Sequence, residues 1–118
     1  SSCVNGLMTV VNADTGRVVA TAPIGKGTDA AAYDPKRGLA FSSNGFDGTL
    51  SVIRQSGPDS YALAATIPTA LSARTMSIDP ETGRLYIAAL DTDPPAAPGG
   101  RPKPRPGTLR LMFYDPAK

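Results

Sequence analysis

Hydrophobic positions in this chain fall in short runs rich in β-branched residues, each closed by Gly, Pro, Asp or Asn. Gly6–Asn12 (GLMTVVN) ends at the turn Ala13-Asp14-Thr15-Gly16, and Arg17–Pro23 (RVVATAP) resumes and stops at a proline. Pro cannot donate to a strand ladder, and Asp and Gly supply the side-chain bonds and positive φ that tight turns need. The same pattern predicts strands at Ala30–Tyr33, Leu39–Asn44, Thr49–Arg54, Tyr61–Ile67, Ala73–Ile78, Leu85–Ala89 and Thr108–Tyr114. Nine short strands with turn signals between them predict an all-β fold with no helix longer than a turn.

One stretch is ambiguous by propensity. Ala30-Ala31-Ala32-Tyr33 would suit a helix, but much of Ala20–Val52 returns 45 residues later. Ala20-Thr21-Ala22-Pro23 recurs as Ala65-Thr66-Ile67-Pro68, Asp34-Pro35 as Asp79-Pro80, and Gly38-Leu39-Ala40-Phe41 as Gly83-Arg84-Leu85-Tyr86. The counterpart of the alanine run, Thr75-Met76-Ser77-Ile78, is not helix-like and is also followed by Asp-Pro, so a strand is expected in both copies.

A period of 45 residues holding four strands points to propeller blades. Labelling the strands of a blade A to D from the axis outward, the chain reads C-D, then A-B-C-D, then A-B-C. That makes a partial β-propeller of about two and a quarter four-stranded antiparallel blades. A blade remnant covers residues 1–25, a full blade 26–68, and a last blade 69–118. The last blade replaces the four-residue connection Gly45-Phe46-Asp47-Gly48 with a Pro- and Arg/Lys-rich insert, residues 91–107. Its prolines favour extended polyproline II, outside any ladder.

These residues resemble the YVTN-family propeller repeat. Phe41-Ser42-Ser43-Asn44 and Tyr86-Ile87-Ala88-Ala89 stand where that family has its Tyr-Val-Thr-Asn. Thr49–Ile53 is similar to its strand C, Val18–Gly25 to its strand D, and the two Asp-Pro pairs sit at its A-B turn. Ser1–Gly6 is similar to Ser42–Gly48, as though it began at the end of a strand B. The resemblance spans nearly the whole chain, and the insert departs from it. It implies a section of a longer propeller, partnered by the remaining blades or by self-association through open strand edges. It also implies a periplasmic, secreted or cell-surface setting; the family is similar to other propellers, some of which carry cofactors or lactonase chemistry, while many of its members have no assigned activity.

Composition narrows the chemistry. With no His the chain lacks the commonest general base and metal ligand. Its one cysteine, Cys3, can form no internal disulfide, and is expected to be a small half-buried hydrophobe. Net charge is only +2 and the apolar runs are too short for a membrane span. No cofactor is implied. A non-catalytic binding module is therefore expected ahead of an enzyme whose active site is completed by further blades, or of a structural envelope propeller.

In the blade scheme the D-A and B-C loops share one rim. It carries Lys26, Thr28 and Asp29, then Ser72, Arg74 and Thr75, with Asn44, Phe46, Asp47 and the insert. Lys26, Asp29, Asp47 and Arg74 are the ligand-binding candidates, with Arg74 a fork for a carboxylate or phosphate on a small anionic ligand. Asp29 and Arg74 could instead form an inter-blade salt bridge or a capping contact between repeats. Arg101, Lys103 and Arg105 could grip an acidic partner, the insert could dock in an aromatic groove as a proline-rich ligand, or it could be a solvated variable loop. Without interleaved aromatics they make a poor nucleic-acid site. Asp91-Thr92-Asp93, followed by two prolines, lacks the turn and the far ligand of a calcium loop. Asp14, Lys36, Arg37, Asp59 and Glu81 at the other rim read as ordinary turn residues. Tyr33, Phe41, Tyr86 and Phe113 read as packing between blades.

Overall fold

The computed structural model describes residues 2–3 and 5–117. It is all-β, and the nine expected strands are present with three two-residue additions. In chain order they are β1 (Ser2–Cys3), β2 (Leu7–Val11), β3 (Val18–Pro23), β4 (Thr28–Asp34), β5 (Leu39–Asn44), β6 (Thr49–Gly57), β7 (Ser60–Pro68), β8 (Met76–Ile78), β9 (Leu85–Ala89), β10 (Thr92–Asp93), β11 (Lys103–Pro104) and β12 (Arg110–Tyr114). The alanine run lies inside β4 as a strand. No helix among the described residues is long and apolar enough to cross a membrane. The side chain of Cys3 lies outside the described residues.

All pairing is antiparallel. A first sheet has the order β1-β2-β3, a middle sheet β4-β5-β6-β7, and a third β12-β9-β8. The middle sheet is a simple meander whose last hairpin turns at Pro58-Asp59, with Gly57 opposite Ser60. Its β5 and β6 are buried on both faces, since the first sheet covers one and the third covers the other. Met8, Ala22 and Ile53 form the core on the first side, joined by Ile24, Ala40 and Tyr61. Phe41, Leu50 and Val52 meet Ala73, Leu85, Ile87 and Ala89 on the other. Alternation along a strand explains why neighbours such as Ala40 and Phe41 serve different cores.

The repeat is also visible in the turns. The Asp34 carboxylate accepts the N–H groups of Lys36 and Arg37 at 3.0 and 3.2 Å, and Asp79 accepts those of Glu81 and Thr82 at 2.9 and 3.5 Å. Asn12 does the same for Asp14 and Thr15. The Lys36–Arg37 turn is more than ordinary turn structure, because it ties two sheets together. Lys36 Nζ meets Glu81 at 2.9 Å, and Arg37 donates to the Thr82 carbonyl at 3.0 Å. Both contacts join positions one repeat apart, where the residues differ in charge or polarity.

Asp34 is the buried member of this group. Burial pushes its carboxyl up, but the bond from the Arg37 guanidinium and the N–H groups of Arg37 and Lys36 outweigh that and hold it below the ordinary aspartate value of 3.8. Asp79, bonded by the Thr82 hydroxyl, and Asp115, bonded by Arg84, are shifted the same way. A folded-state value below the unfolded one contributes stability that is present above pH 3.8 and is lost as pH falls through the lower, folded value. Denaturant midpoints measured through the acid range should therefore fall below that pH. Asp34→Asn should flatten part of the fall, and a slope unchanged by that substitution would contradict the assignment.

The insert departs from expectation. Its ends pair with each other, Thr92 opposite Pro104 and Asp93 opposite Lys103, so it is not free of ladder bonds. Proline is tolerated at such an edge. Arg105 donates from Nε and Nη2 to Asp93 Oδ1 at 3.1 and 2.6 Å, and its N–H bonds the Asp91 carbonyl. Tyr33 also differs: it is largely exposed and donates its hydroxyl to Gln55 rather than packing between sheets.

Candidate functional site

Three connections meet at one end of the stacked sheets, and hydrogen bonds lock them together. The loop Gly45–Gly48 sits in the middle. Its Gly45 N–H donates to the Gly27 carbonyl at 2.9 Å, and its Phe46 N–H donates to the Lys26 carbonyl at 3.2 Å. In return Asp47 Oδ2 accepts the Lys26 N–H at 2.7 Å. On the other side Ser72 N–H donates to the Gly45 carbonyl at 2.8 Å, and Thr69 N–H to that of Gly48 at 2.7 Å. Glycine is needed where the segments touch. A Cβ on Gly27, whose φ is +72°, would lie 2.3 Å from Phe46 Cγ, and one on Gly45 would lie 3.1 Å from Arg74 Cγ.

Arg74 is held from both ends of its peptide. Its N–H donates to the Ala88 carbonyl at 3.2 Å, and its carbonyl accepts the buried Ser43 hydroxyl. Two residues earlier, Ser72 adopts φ +64°, uncommon for a residue with a side chain. Its hydroxyl donates to the Leu90 carbonyl, which fixes that turn. The Arg74 side chain passes over Gly45, with Cγ and Nε nearest it, and the residue is exposed. None of the ion pairs among the described residues involves Arg74 or Asp29. The inter-sheet salt bridge weighed for these two is absent there.

The other candidates divide clearly. Lys26 is exposed beside Phe46, and Asp29 is exposed at a bulge of β4 where the register slips between Thr28 and Ala30. The Asp47 carboxylate is occupied in holding the Lys26 backbone. Arg101 and Lys103 are exposed on the insert, whereas Arg105 is neutralised by Asp93. Asn44 belongs to the interior, not to the rim: it is fully buried and bonded to Ser42, Ser51, Thr28 and Thr49.

Two apolar side chains stand beside Arg74. Phe46 and Leu71 are 67% and 66% exposed, far more than residues of their kind usually are. Leu71 packs over Gly48 and Phe46 over Gly27, so both flank the Gly45–Gly48 loop. Leu71 had no signal in the periodicity, since it lies in a link between strands. A shallow depression of about 340 Å³ opens next to it, lined by Ala70, Leu90, Asp91, Thr92, Arg105 and Arg110. Its two arginines are already paired, Arg105 with Asp93 and Arg110 with Asp91 at 2.9 Å. The larger depression, about 370 Å³, lies away from this rim between the Asn12–Arg17 turn and Asp59.

Chemically, this rim can offer an exposed guanidinium on a fixed backbone, a lysine and two apolar contacts. It presents no nucleophile beside a base. No protein-family model matches the chain, and no curated protein matches it.

Proposed function

We propose that the chain is a section of a YVTN-like β-propeller and acts as a non-catalytic binding module, taking an anionic ligand or partner group at the rim around Gly45–Gly48. The observation that carries the binding role is Arg74. Its backbone is bonded at both N–H and C=O, its stem is seated on Gly45, and no carboxylate among the described residues neutralises its head. Under this cation the backbone is already held, so binding has to order only the side chain, whereas Arg105 must first give up Asp93.

The propeller reading draws support from how the sheets stack. The first strand of the middle sheet, β4, lies against β8, the first of the third sheet, while β3 lies against β7 at the far edges. Like strands meeting like strands, in sheets of one repeat, is the arrangement of neighbouring blades. Small residues on β4, Ala30 to Ala32, suit the crowded inner position.

The test is a thermal-shift screen of phosphate, acetate and citrate against the chain, followed by calorimetry on the best of them. Arg74→Ala should weaken binding by about 1.5–3 kcal/mol, the range for a charged hydrogen bond. Replacing Arg101, Lys103 and Arg105 together by alanine should change it little. Loss of binding in the triple variant with Arg74→Ala unaffected would move the site to the insert.

A further inference from the structure

The insert is a built hairpin, closed at both ends. At its base β10 and β11 pair, and the Asp93 carboxylate takes both Nε and Nη2 of Arg105. The Arg105 N–H donates to the Asp91 carbonyl at 2.9 Å, and the Arg105 carbonyl accepts the Thr108 hydroxyl at 2.7 Å. At the tip the Gly100 N–H donates to the Ala97 carbonyl at 3.0 Å, with Pro98 followed by Gly99 at φ +77°. Those are the marks of a type II turn. Between tip and base runs Arg101-Pro102-Lys103-Pro104-Arg105-Pro106. A residue before proline is confined to extended backbone, and each proline fixes its own φ, so this arm is held extended by its sequence alone.

Residues two apart on an extended arm share a side, about 6–7 Å from one another. Arg101, Lys103 and Arg105 therefore line one edge. Arg105 is occupied by Asp93, whereas Arg101 and Lys103 are exposed and enter none of the ion pairs among the described residues. Residues 94–107 hold three cations and no carboxylate, against a net charge of +2 for the whole chain, so the positive charge of the molecule is concentrated on this arm. Its exposure is set by the insert itself. The link Thr69–Ser72 meets the Gly45–Gly48 loop at the carbonyls of Gly45 and Gly48. A further sheet stacked on the third in the same way would meet the insert at its base, the counterpart of that loop, and leave the outer part standing clear.

We propose that this arm is a docking edge for an acidic, extended segment of a partner protein, with carboxylates at alternate positions. Charge chooses an acidic occupant. Spacing chooses the pattern, because an extended partner has the same repeat as the arm and brings two carboxylates to Arg101 and Lys103 together. The prolines donate nothing to a ladder, so the partner is read through side chains and not by strand addition. Arg74 takes no part, so this surface and the rim can fail independently.

Fluorescence anisotropy tests this with two labelled peptides of one composition and charge, Glu and Ser alternating over six residues, and three Glu followed by three Ser. At one ionic strength the alternating peptide should bind about tenfold more tightly, the worth of one charged hydrogen bond. Arg101→Ala with Lys103→Ala should abolish the preference. Arg17→Ala with Arg54→Ala, the same loss of charge elsewhere on the surface, should leave it intact. Pro102→Ala with Pro104→Ala keeps every charge but loosens the arm, and should weaken the alternating peptide at least about threefold. All six side chains are exposed, so far-ultraviolet circular dichroism should be unchanged throughout. Equal binding of the two peptides would reduce the effect to net charge and overturn the proposal. So would no measurable binding, or a Pro102→Ala, Pro104→Ala variant that binds as the unaltered chain does. A chain that takes single-stranded oligothymidylate in preference to the alternating peptide would assign the arm to nucleic acid, and overturn it as well.

Discussion

Asn44→Ala should lower the unfolding free energy by about 3 kcal/mol, one of the largest losses available to a single substitution in this chain. The side chain is fully buried where β5 ends, under the Gly25–Thr28 link. Its Nδ2 donates to Thr49 Oγ1 at 3.1 Å and to Ser51 Oγ at 2.9 Å. Its Oδ1 accepts the hydroxyls of Ser42 at 3.0 Å and Thr28 at 3.4 Å. The Ser51 hydroxyl in turn accepts the Gly25 N–H at 3.2 Å, which draws the next connection onto the network. Among the described residues no buried side-chain polar atom lacks a partner, so truncation at the hub would strand several at once. A stranded buried group forfeits its full desolvation cost, not merely the net worth of one bond. Asn44→Leu should not rescue the loss, since it fills the volume but leaves the hydroxyls unpaired. Urea denaturation measures both, and a loss below about 1 kcal/mol for either would contradict the network's role.

Ile87→Ala should cost about 2–5 kcal/mol, on a different physical ground. Ile87 lies at the centre of β9 and is wholly buried against Phe41, Leu50 and Val52 of the middle sheet. Its strand is paired on both sides, by β8 and β12, so the backbone cannot close the gap that truncation leaves. Leu111→Ala, on the opposite face of the same sheet, removes a similar volume from an exposed position. It should cost the monomer less than about 1 kcal/mol. Equal losses at the two positions would mean that the third sheet is not packed on the middle one as described.

The strands were legible because their ends are written in Gly, Pro, Asp and Asn, and because two copies could be compared. The alanine run shows the benefit: propensity alone favours a helix, whereas its counterpart Thr75–Ile78 decides for a strand, as found. Burial was harder to read. Ser42-Ser43-Asn44 looks like a polar exit toward a loop, but both faces of β5 are covered, and these side chains satisfy one another or reach across to Arg74. Only the cross-strand register, with Ser42 opposite Ser51 and Asn44 opposite Thr49, makes that sense, and register is not visible in one strand. The insert misled by composition, since twelve residues separate Asp93 from Arg105 and the pairing depends on the chain turning back between them. The inter-sheet pair Lys36–Glu81 did have a signal, opposite charges at one repeat position. Of the rim, Arg74 and Lys26 were legible as charged residues in matching links. Phe46 and Leu71 were not legible as exposed neighbours, because exposure depends on how three connections meet.

The most direct test of the rim as the binding surface is an amide NMR titration of the isotope-labelled chain with the anion selected by the thermal-shift screen. Peak movements that grow with ligand concentration and cluster at Lys26, Gly45, Phe46, Leu71, Arg74 and Thr75 are the expected result, and they should vanish in Arg74→Ala. Movements confined to residues 101–105, or to the Asn12–Arg17 turn at the opposite end, would contradict the account.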